Sequence, residues 1–326
     1  MRYFFILNPG SKGGKSKATF ERIVSFLHQR GVNFDYRLTK DLDDAYTLSV
    51  EGNKKNYDVI VAVGGDGTIN RVISGFYDLQ GRRISKSKLA VIHTGMSPDF
   101  CKSYDLPLDI DQALYAVLKG ECEKIPIGKI NYLGEYDKRL DGRPLCLNHQ
   151  NLQTSYFACC SNIGLGALVA KGANSGIRDL IGDFAGTLVS VIKTLLRFQS
   201  VNFTVTLDSR KQVLEKVYNI FVGKTTYIAS GLKVKHQLSH IDPRFYTLTV
   251  KNVGLANWVS VLKKLYSAKE FANNNTMCLQ YAQRIEVYGS SQNHELEFDG
   301  DPRGFLPCVI ESAKDPLEVI CDKSKG

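Results

Sequence analysis

No apolar run in the 326-residue chain reaches the roughly 18 residues of a membrane-spanning helix. The nearest candidate, Thr187 to Phe198, is interrupted by Lys193 and Arg197. Met1 to Leu7 is too short for a signal peptide and reads as a first β-strand, so the cytosol is the expected compartment. None of the eight cysteines makes a Cys-x-x-Cys pair, and the one adjacent pair is Cys159-Cys160. That pattern argues against a disulfide framework or a zinc site and leaves ordinary reduced thiols. Internal repeats, low-complexity tracts and a long Pro/Gly/Ser linker are also missing. What is present is 43% hydrophobic residues, enough at this length for a large core and two domains. The formal charge of +9 suits nucleotides, nucleic acid or an anionic membrane surface, and does not choose among them.

The first third alternates strand and helix. After "RYFFIL", Ser16 is placed to cap a helix whose Phe20, Ile23, Val24 and Leu27 share one face, with Gly31 to end it. "FDYRLT" then predicts a strand, Asp41 to Val50 a helix, "DVIVAV" a buried strand, Thr68 to Leu79 a helix and "KLAVIH" a strand. A helix from Asp109 to Lys119, stopped by Gly120, closes the series. Such alternation predicts an α/β fold with a doubly wound, mostly parallel sheet as a nucleotide-binding domain. Beyond about residue 123 the pattern changes to strands such as "VNFTVTLDS", "VLEKVYNIFVG", "FYTLTVKNV" and "QRIEVYG", with helices near Phe184 to Phe198 and Asn257 to Ser267. The predicted boundary puts residues 1–122 in the first domain and 123–311 in a β-rich second one.

Two glycine stretches carry chemistry. "FILNPGSKGGKS" runs like a P-loop, but only Ser11, Lys12 and Gly13 separate Gly10 from Gly14-Lys15-Ser16, one residue too few. "DVIVAVGGDGTINRV" is the stronger signal. A buried strand ends in Gly64-Gly65-Asp66-Gly67-Thr68 and a helix begins at once, so backbone and helix N-terminus can approach a phosphate. A carboxylate there repels phosphate unless a cation lies between, which casts Asp66 as a Mg²⁺-side acid. An isolated Asp-Gly would be only a turn or a cap; five such residues between strand and helix point to function.

Gly64 to Thr68 resembles the nucleotide-binding signature of the diacylglycerol kinase catalytic domain family, which includes bacterial lipid kinases and sphingosine kinases. Asn8-Pro9-Gly10-Ser11-Lys12-Gly13 resembles the family's first phosphate loop, and Thr39 falls where the family has a threonine near the nucleotide. In "AVIHTGMSPDFCKSYDLP", Gly95, Asp99, Phe100 and Pro107 match a further family segment, while Met96 and Pro98 replace its threonine and asparagine and Arg71 replaces a common glutamate. "SNIGLGALVAKG" and "FVGKTTYIASGLKV" resemble second-domain segments. "SHIDPRFYTL" stands at an Asp-Asp-Gly loop that in bacterial members can hold a structural magnesium ion; Asp242 matches the first acid, and Pro243 and Arg244 replace the rest. His236 and His240 have a metal-compatible spacing but no accompanying acids, and read as packed or solvated side chains.

"LEFDGDPRG" resembles the Asp-Gly-Glu motif whose glutamate is the family's general base, and Asp301 falls on that position. Alone, Asp299-Gly300 between apolar stretches is a hairpin turn. The resemblance implies a lipid kinase that uses ATP and Mg²⁺, with a sandwich-like second domain and a C-terminal segment, residues 312–326, returning to the first. It implies nucleotide contacts from Asn8, Pro9, Gly10, Ser11, Gly13, Thr39, Gly64, Gly65, Asp66, Gly67, Thr68, Gly95 and Asp99, metal binding by Asp66, and catalysis by Asp66 and Asp301. Expected partners are a lipid substrate and an anionic membrane surface touched peripherally, with no nucleic acid; a homodimer is allowed. Two other readings stand beside it. An NAD kinase shares Gly-Gly-Asp-Gly-Thr but normally has an Asn-Glu or Asn-Asp pair, and this chain has neither. A catalytically weak nucleotide- or lipid-binding regulator is motivated by Arg71, Met96, Pro98 and Asp301.

Overall fold

The computed structural model describes residues 1–10, 17–146, 148–168, 198–228, 232–239, 241–254, 257–267, 270, 273–289 and 294–321. The chain divides into two compact units, Met1–Ile127 with Ala313–Gly326, and Gly128–Ser312.

In the first unit, strands β1 (Tyr3–Leu7), β2 (Phe34–Leu38), β3 (Val59–Gly64), β4 (Lys88–His93), β5 (Cys122–Ile125) and the C-terminal strand Leu317–Ile320 form, among the described residues, one six-stranded sheet. Its order is β2-β1-β3-β4, then the C-terminal strand, then β5. The first four strands are mutually parallel and the C-terminal strand joins β4 in parallel, while β5 closes the edge antiparallel. The first unit therefore runs past the predicted boundary at 122, because β5 pairs with the C-terminal strand. β1 and β3 are buried along their whole length, as continuous apolar runs in a sheet covered on both faces must be.

Helices α1 (Lys17–Gln29), α2 (Asp44–Lys54), α3 (Asp66–Ser74), α4 (Asp99–Ser103) and α5 (Ile110–Lys119) supply the cover. Phe20, Ile23 and Leu27 of α1 and Leu114 and Val117 of α5 pack with Phe5, Leu7, Val61 and Val63 on one face. On the other, Gly52 of α2 lies so close to Phe4 and Ile60 that a Cβ there would sit 2.8 Å from the Phe4 ring. Each buried side chain of this kind contributes about 1.5–3 kcal/mol. The α5 ends follow the sequence: Asp109 accepts the Gln112 N–H at 3.0 Å, and Gly120 takes the left-handed conformation at φ +73°. Two helices begin elsewhere than predicted. α2 starts at Asp44, because the Asp41 carboxylate accepts the Asp44 N–H and makes a turn first. α3 starts at Asp66 rather than Thr68, because extended Gly65 is its N-cap, and it ends at Ser74 rather than Leu79.

In the second unit, β6 (Gly128–Leu133), β7 (Leu152–Phe157), β8 (Cys160–Gly164), β9 (Val201–Leu207), β10 (Arg210–Gly223), the short pair β11 (Tyr227–Ile228) and β12 (Leu232–Lys233), β13 (Phe245–Lys251), β14 (Met277–Ala282), β15 (Ile285–Gly289), β16 (Glu295–Phe298) and β17 (Asp301–Ser312) are joined by α6 (Trp258–Ser267). The long strands β10 and β17 change partners along their length. β10 pairs β9 through its first half and β8 and β13 through its second, so the pairings β10-β8-β16-β17-β15-β9-β10 close a circuit. Phe157, Phe203, Phe245 and Phe298 fill its interior with Ile163, Ile220, Leu296 and Ile310. The helix predicted near Phe184 to Phe198 lies, but for Phe198, outside the described residues.

Candidate active site

The order β2-β1-β3 fixes where a ligand belongs in the first unit. The chain leaves β1 toward β2 on one side and returns to β3 on the other, so the carboxyl ends of β1 and β3 flank a topological switch point. Residues singled out from sequence stand at these ends: Asn8 to Gly10 after β1, Thr39 after β2, Gly64 to Thr68 at the end of β3, and Gly95 after β4. Backbone bonds stitch them together. Thr39 N–H donates to Leu7 O, Asn8 N–H to Val63 O and Thr94 N–H to Gly64 O, each at 2.9 Å.

Side chains complete the join. Asn8 Nδ2 donates to Thr68 Oγ1 at 2.7 Å while its Oδ1 accepts the Gly10 N–H at 2.9 Å, so the loop after β1 is held on the first turn of α3. The Thr39 hydroxyl is buried with no hydrogen-bond partner among the described residues. Two glycines are required by approach rather than by turn. A Cβ on Gly64 would lie 2.6 Å from Thr68 Cβ, and one on Gly95 2.6 Å from Gly65 Cα. The loops after β3 and β4 therefore meet backbone to backbone. Gly65, as the N-cap of α3, offers no side-chain acceptor to the helix end, where a phosphate oxygen is a natural one. Ser11 and Gly13 lie outside the described residues.

Asp66 sits in the first turn of α3 with its side chain 15% exposed. Its Oδ2 accepts the Asp99 N–H at 3.0 Å, and its Oδ1 lies 3.6 Å from His93 Nε2, which contacts Ser97 O at 3.2 Å. Asp99 thus enters the site through its backbone. Among the described residues no three His, Cys, Asp or Glu side chains gather as a metal cluster. One carboxylate beside an open helix end nonetheless suits Mg²⁺, which is commonly held by one or two carboxylates and by substrate phosphates. Arg71, where the family has glutamate, is turned to Asp43 at 2.7 Å. Met96 is exposed and Pro98 is the N-cap of α4.

Asp301 opens β17 in the second unit, directly after the turn at Asp299 (φ +49°) and Gly300 (φ +86°), the two left-handed residues of a hairpin. Its Oδ2 is 2.7 Å from Arg303 Nε, with both side chains mostly buried and the guanidinium over the Phe298 ring. The preceding acids have other tasks. Asp299 accepts the N–H groups of Ala158, Cys159 and Cys160 at 2.8, 2.9 and 3.1 Å. Glu297 is buried, receiving Asn162 Nδ2 on one oxygen and the Gly300 N–H on the other. Burial outweighs these bonds and pushes its carboxyl up to about 8. His93, Arg303, Asn162 and Glu297 were not anticipated. His93 ends a predicted strand beside the matching Gly95, and that position was the available signal. His236 is stacked on Tyr246 at 5.1 Å between centroids, as a packed histidine; His240 lies outside the described residues.

The diacylglycerol kinase catalytic domain model matches residues 2–130, and a model described as the YegS C-terminal NAD kinase beta sandwich-like domain matches residues 161–321. A protein named diacylglycerol kinase from Staphylococcus saprophyticus is 24% identical over 315 residues, covering 97% of this chain and 93% of that one. One of the same name from Staphylococcus haemolyticus is 25% identical, covering 98% and 87%. The crystal structure of a diacylglycerol kinase from Bacillus anthracis superposes with a TM-score of 0.68 at 19% identity, covering 99% of this chain and 97% of that one, which shows the shared fold.

Proposed function

The chain belongs to the diacylglycerol kinase catalytic domain family, a family of lipid kinases, and from that premise we propose that it transfers the γ-phosphate of ATP to the hydroxyl of a lipid: diacylglycerol, a sphingoid base or a related alcohol. The observation that carries the nucleotide half is the switch point itself, where Asn8, Thr39, Gly64 to Thr68 and Gly95 come together on the ends of four adjacent strands. The first-turn N–H groups of α3 and the Asn8 loop bind and orient phosphate, and Asp66 is the carboxylate that would hold Mg²⁺. Bound there, the ion would neutralise charge on the phosphate oxygens. In the transfer the acceptor hydroxyl gives its proton to the Asp301 carboxylate, its oxygen bonds to the γ-phosphorus, and the bond to the β-phosphate bridging oxygen breaks to release ADP.

Among the described residues no helix is long and apolar enough to cross a membrane. With a charge of +9, the chain is proposed to reach its lipid from the surface of an anionic bilayer. A second reading has a specific motive, the ion pair that engages Asp301 with Arg303: a nucleotide- or lipid-binding regulator with weak catalysis. One experiment addresses both. Radiolabelled ATP is offered with mixed lipids in anionic or neutral vesicles at low and high salt, with NAD⁺ as a parallel acceptor. Label in a lipid, greatest on anionic vesicles at low salt, supports the kinase. Label in NAD⁺ alone overturns it, and nucleotide binding with no transfer favours the regulator.

A further inference from the structure

Lys224 directly follows β10, and only 8% of it is exposed. Its ammonium donates to three consecutive backbone carbonyls of the loop entering β13: Asp242 O and Pro243 O at 3.2 Å and Arg244 O at 3.0 Å. It also lies 4.0 Å from the centroid of the Phe245 ring, whose face favours a cation. The pairing of β10 with β13, with Gly223 opposite Tyr246, brings the lysine beneath the loop. Three donated bonds use all three N–H groups of an ammonium, whereas a neutral amine has two. Burial pushes the group down to about 7, and the Asp242 carboxylate pulls it back up.

Converging carbonyl oxygens beside a carboxylate are what a hard divalent cation takes. Here each ligand is already engaged. The carbonyls hold Lys224, and the Asp242 carboxylate is turned to Arg244, accepting its backbone N–H at 2.9 Å, Nε at 3.1 Å and an Nη at 2.8 Å. That guanidinium holds the Asp242 carboxyl below its ordinary range. The structural magnesium ion of bacterial family members therefore does not fit this loop: it would have to displace an ammonium and break an ion pair.

We propose that Lys224 is a built-in cation that stands in place of a divalent ion at residues 242–244, so that this loop is organised without metal and excludes it. The inference is independent of the kinase reading, since its test uses neither ATP nor lipid. Thermal unfolding of the full chain is followed in EDTA, in Mg²⁺ and in Ca²⁺. Any shift the wild type shows among the three, such as one from Mg²⁺ at Asp66, is expected to be the same in Asp242→Asn, so that none of it comes from this loop. Lys224→Met, which keeps the bulk and loses the donors, should fall by roughly 5–10 °C and stay indifferent to metal. Lys224→Asn, which frees the carbonyls, should unfold early in EDTA and regain several degrees with either ion, a gain lost when Asp242→Asn is added. The proposal is overturned if Lys224→Met unfolds with the wild type, if folded Lys224→Asn gains nothing from either ion, or if the wild type is stabilised by metal through Asp242. The comparison of wild type with Asp242→Asn decides even if both Lys224 variants fail to fold.

Discussion

Gly64 to Thr68 and Asp299 to Asp301 are both runs of glycine and aspartate beside a buried strand, yet they are built in opposite ways. In the first, Asp66 accepts the Asp99 N–H, the loops after β3 and β4 approach too closely for a Cβ on Gly95, and the helix behind has a capping residue without a side chain. In the second, Asp299 takes three backbone N–H groups, Glu297 fastens the turn from below, and Asp301 is paired with Arg303. A stretch whose helix start has no side-chain cap leaves first-turn backbone polar groups for a ligand. A stretch that satisfies them internally is suited to hold a shape. On this contrast Asp66 should matter for transfer and little for folding, Asp299 the reverse, and Asp301 should lie between.

The largest effect is expected for Asp66→Asn. The change is nearly isosteric, and the amide oxygen can still accept the Asp99 N–H, so the unfolding temperature should be unchanged. Removing the charge that places a metal forfeits several kcal/mol of transition-state stabilisation, so turnover should fall about 10³-fold. Steady-state kinetics beside a melting curve separates the two; a fully active, normally folded variant would remove Asp66 from the mechanism. Next comes Asp299→Ala. Three N–H groups lose a charged acceptor, and a net loss of about 3 kcal/mol follows from the worth of charge-assisted bonds. Denaturant titration should show it, and retention of wild-type stability would contradict the clamp.

The contrast also explains what could be read in advance. The alternation of β1 to β5 with helices was legible because strands buried on both faces are unbroken apolar runs, and the glycine loop because close backbone approach needs glycine locally. Where partners depend on strand adjacency, local pattern is silent. Asn8 meets Thr68 because β1 and β3 are neighbours, and Lys224 meets residues 242–244 because β10 and β13 are. Glu297 was hidden by a register shift between Leu296 and Glu297. There 296, 297 and 298 are all buried, where a regular strand would alternate. The early start of α3 belongs to the site itself, since a glycine N-cap has no side chain to announce it.

Asp301→Asn tests the intermediate case. A positioned base contributes about 10² to 10⁴-fold, and an aspartate already engaged by Arg303 should sit near the lower end, at about 10²-fold, with ATP binding preserved. Asp301→Glu, which reaches one methylene further, should keep or raise turnover. If both variants turn over like the wild type, position 301 is only the end of a hairpin, and the comparison collapses to one functional stretch.

The smallest effect concerns Glu297, which fastens the turn through the Gly300 N–H. Burial holds its carboxyl up at about 8, whereas an unfolded glutamate titrates at about 4.3. Between those values the folded chain keeps a proton that the unfolded chain has released, so its contribution to stability is complete below the unfolded value and is lost as pH rises through 8. One proton per molecule corresponds to about 1.4 kcal/mol per pH unit, so from pH 6 to 7.5 the loss should be roughly 2 kcal/mol. Glu297→Gln has no such proton, and its stability should be flatter over the same interval. The quantity to measure is the difference between the two proteins by denaturant titration at pH 6 and 7.5, which cancels the titration of all other groups. A difference that stays constant would mean that Glu297 is already ionised in the fold, its charge carried by Asn162 and the Gly300 N–H. The hairpin would then be held by a buried carboxylate rather than a buried acid, and the turn that presents Asp301 would not loosen in mild alkali.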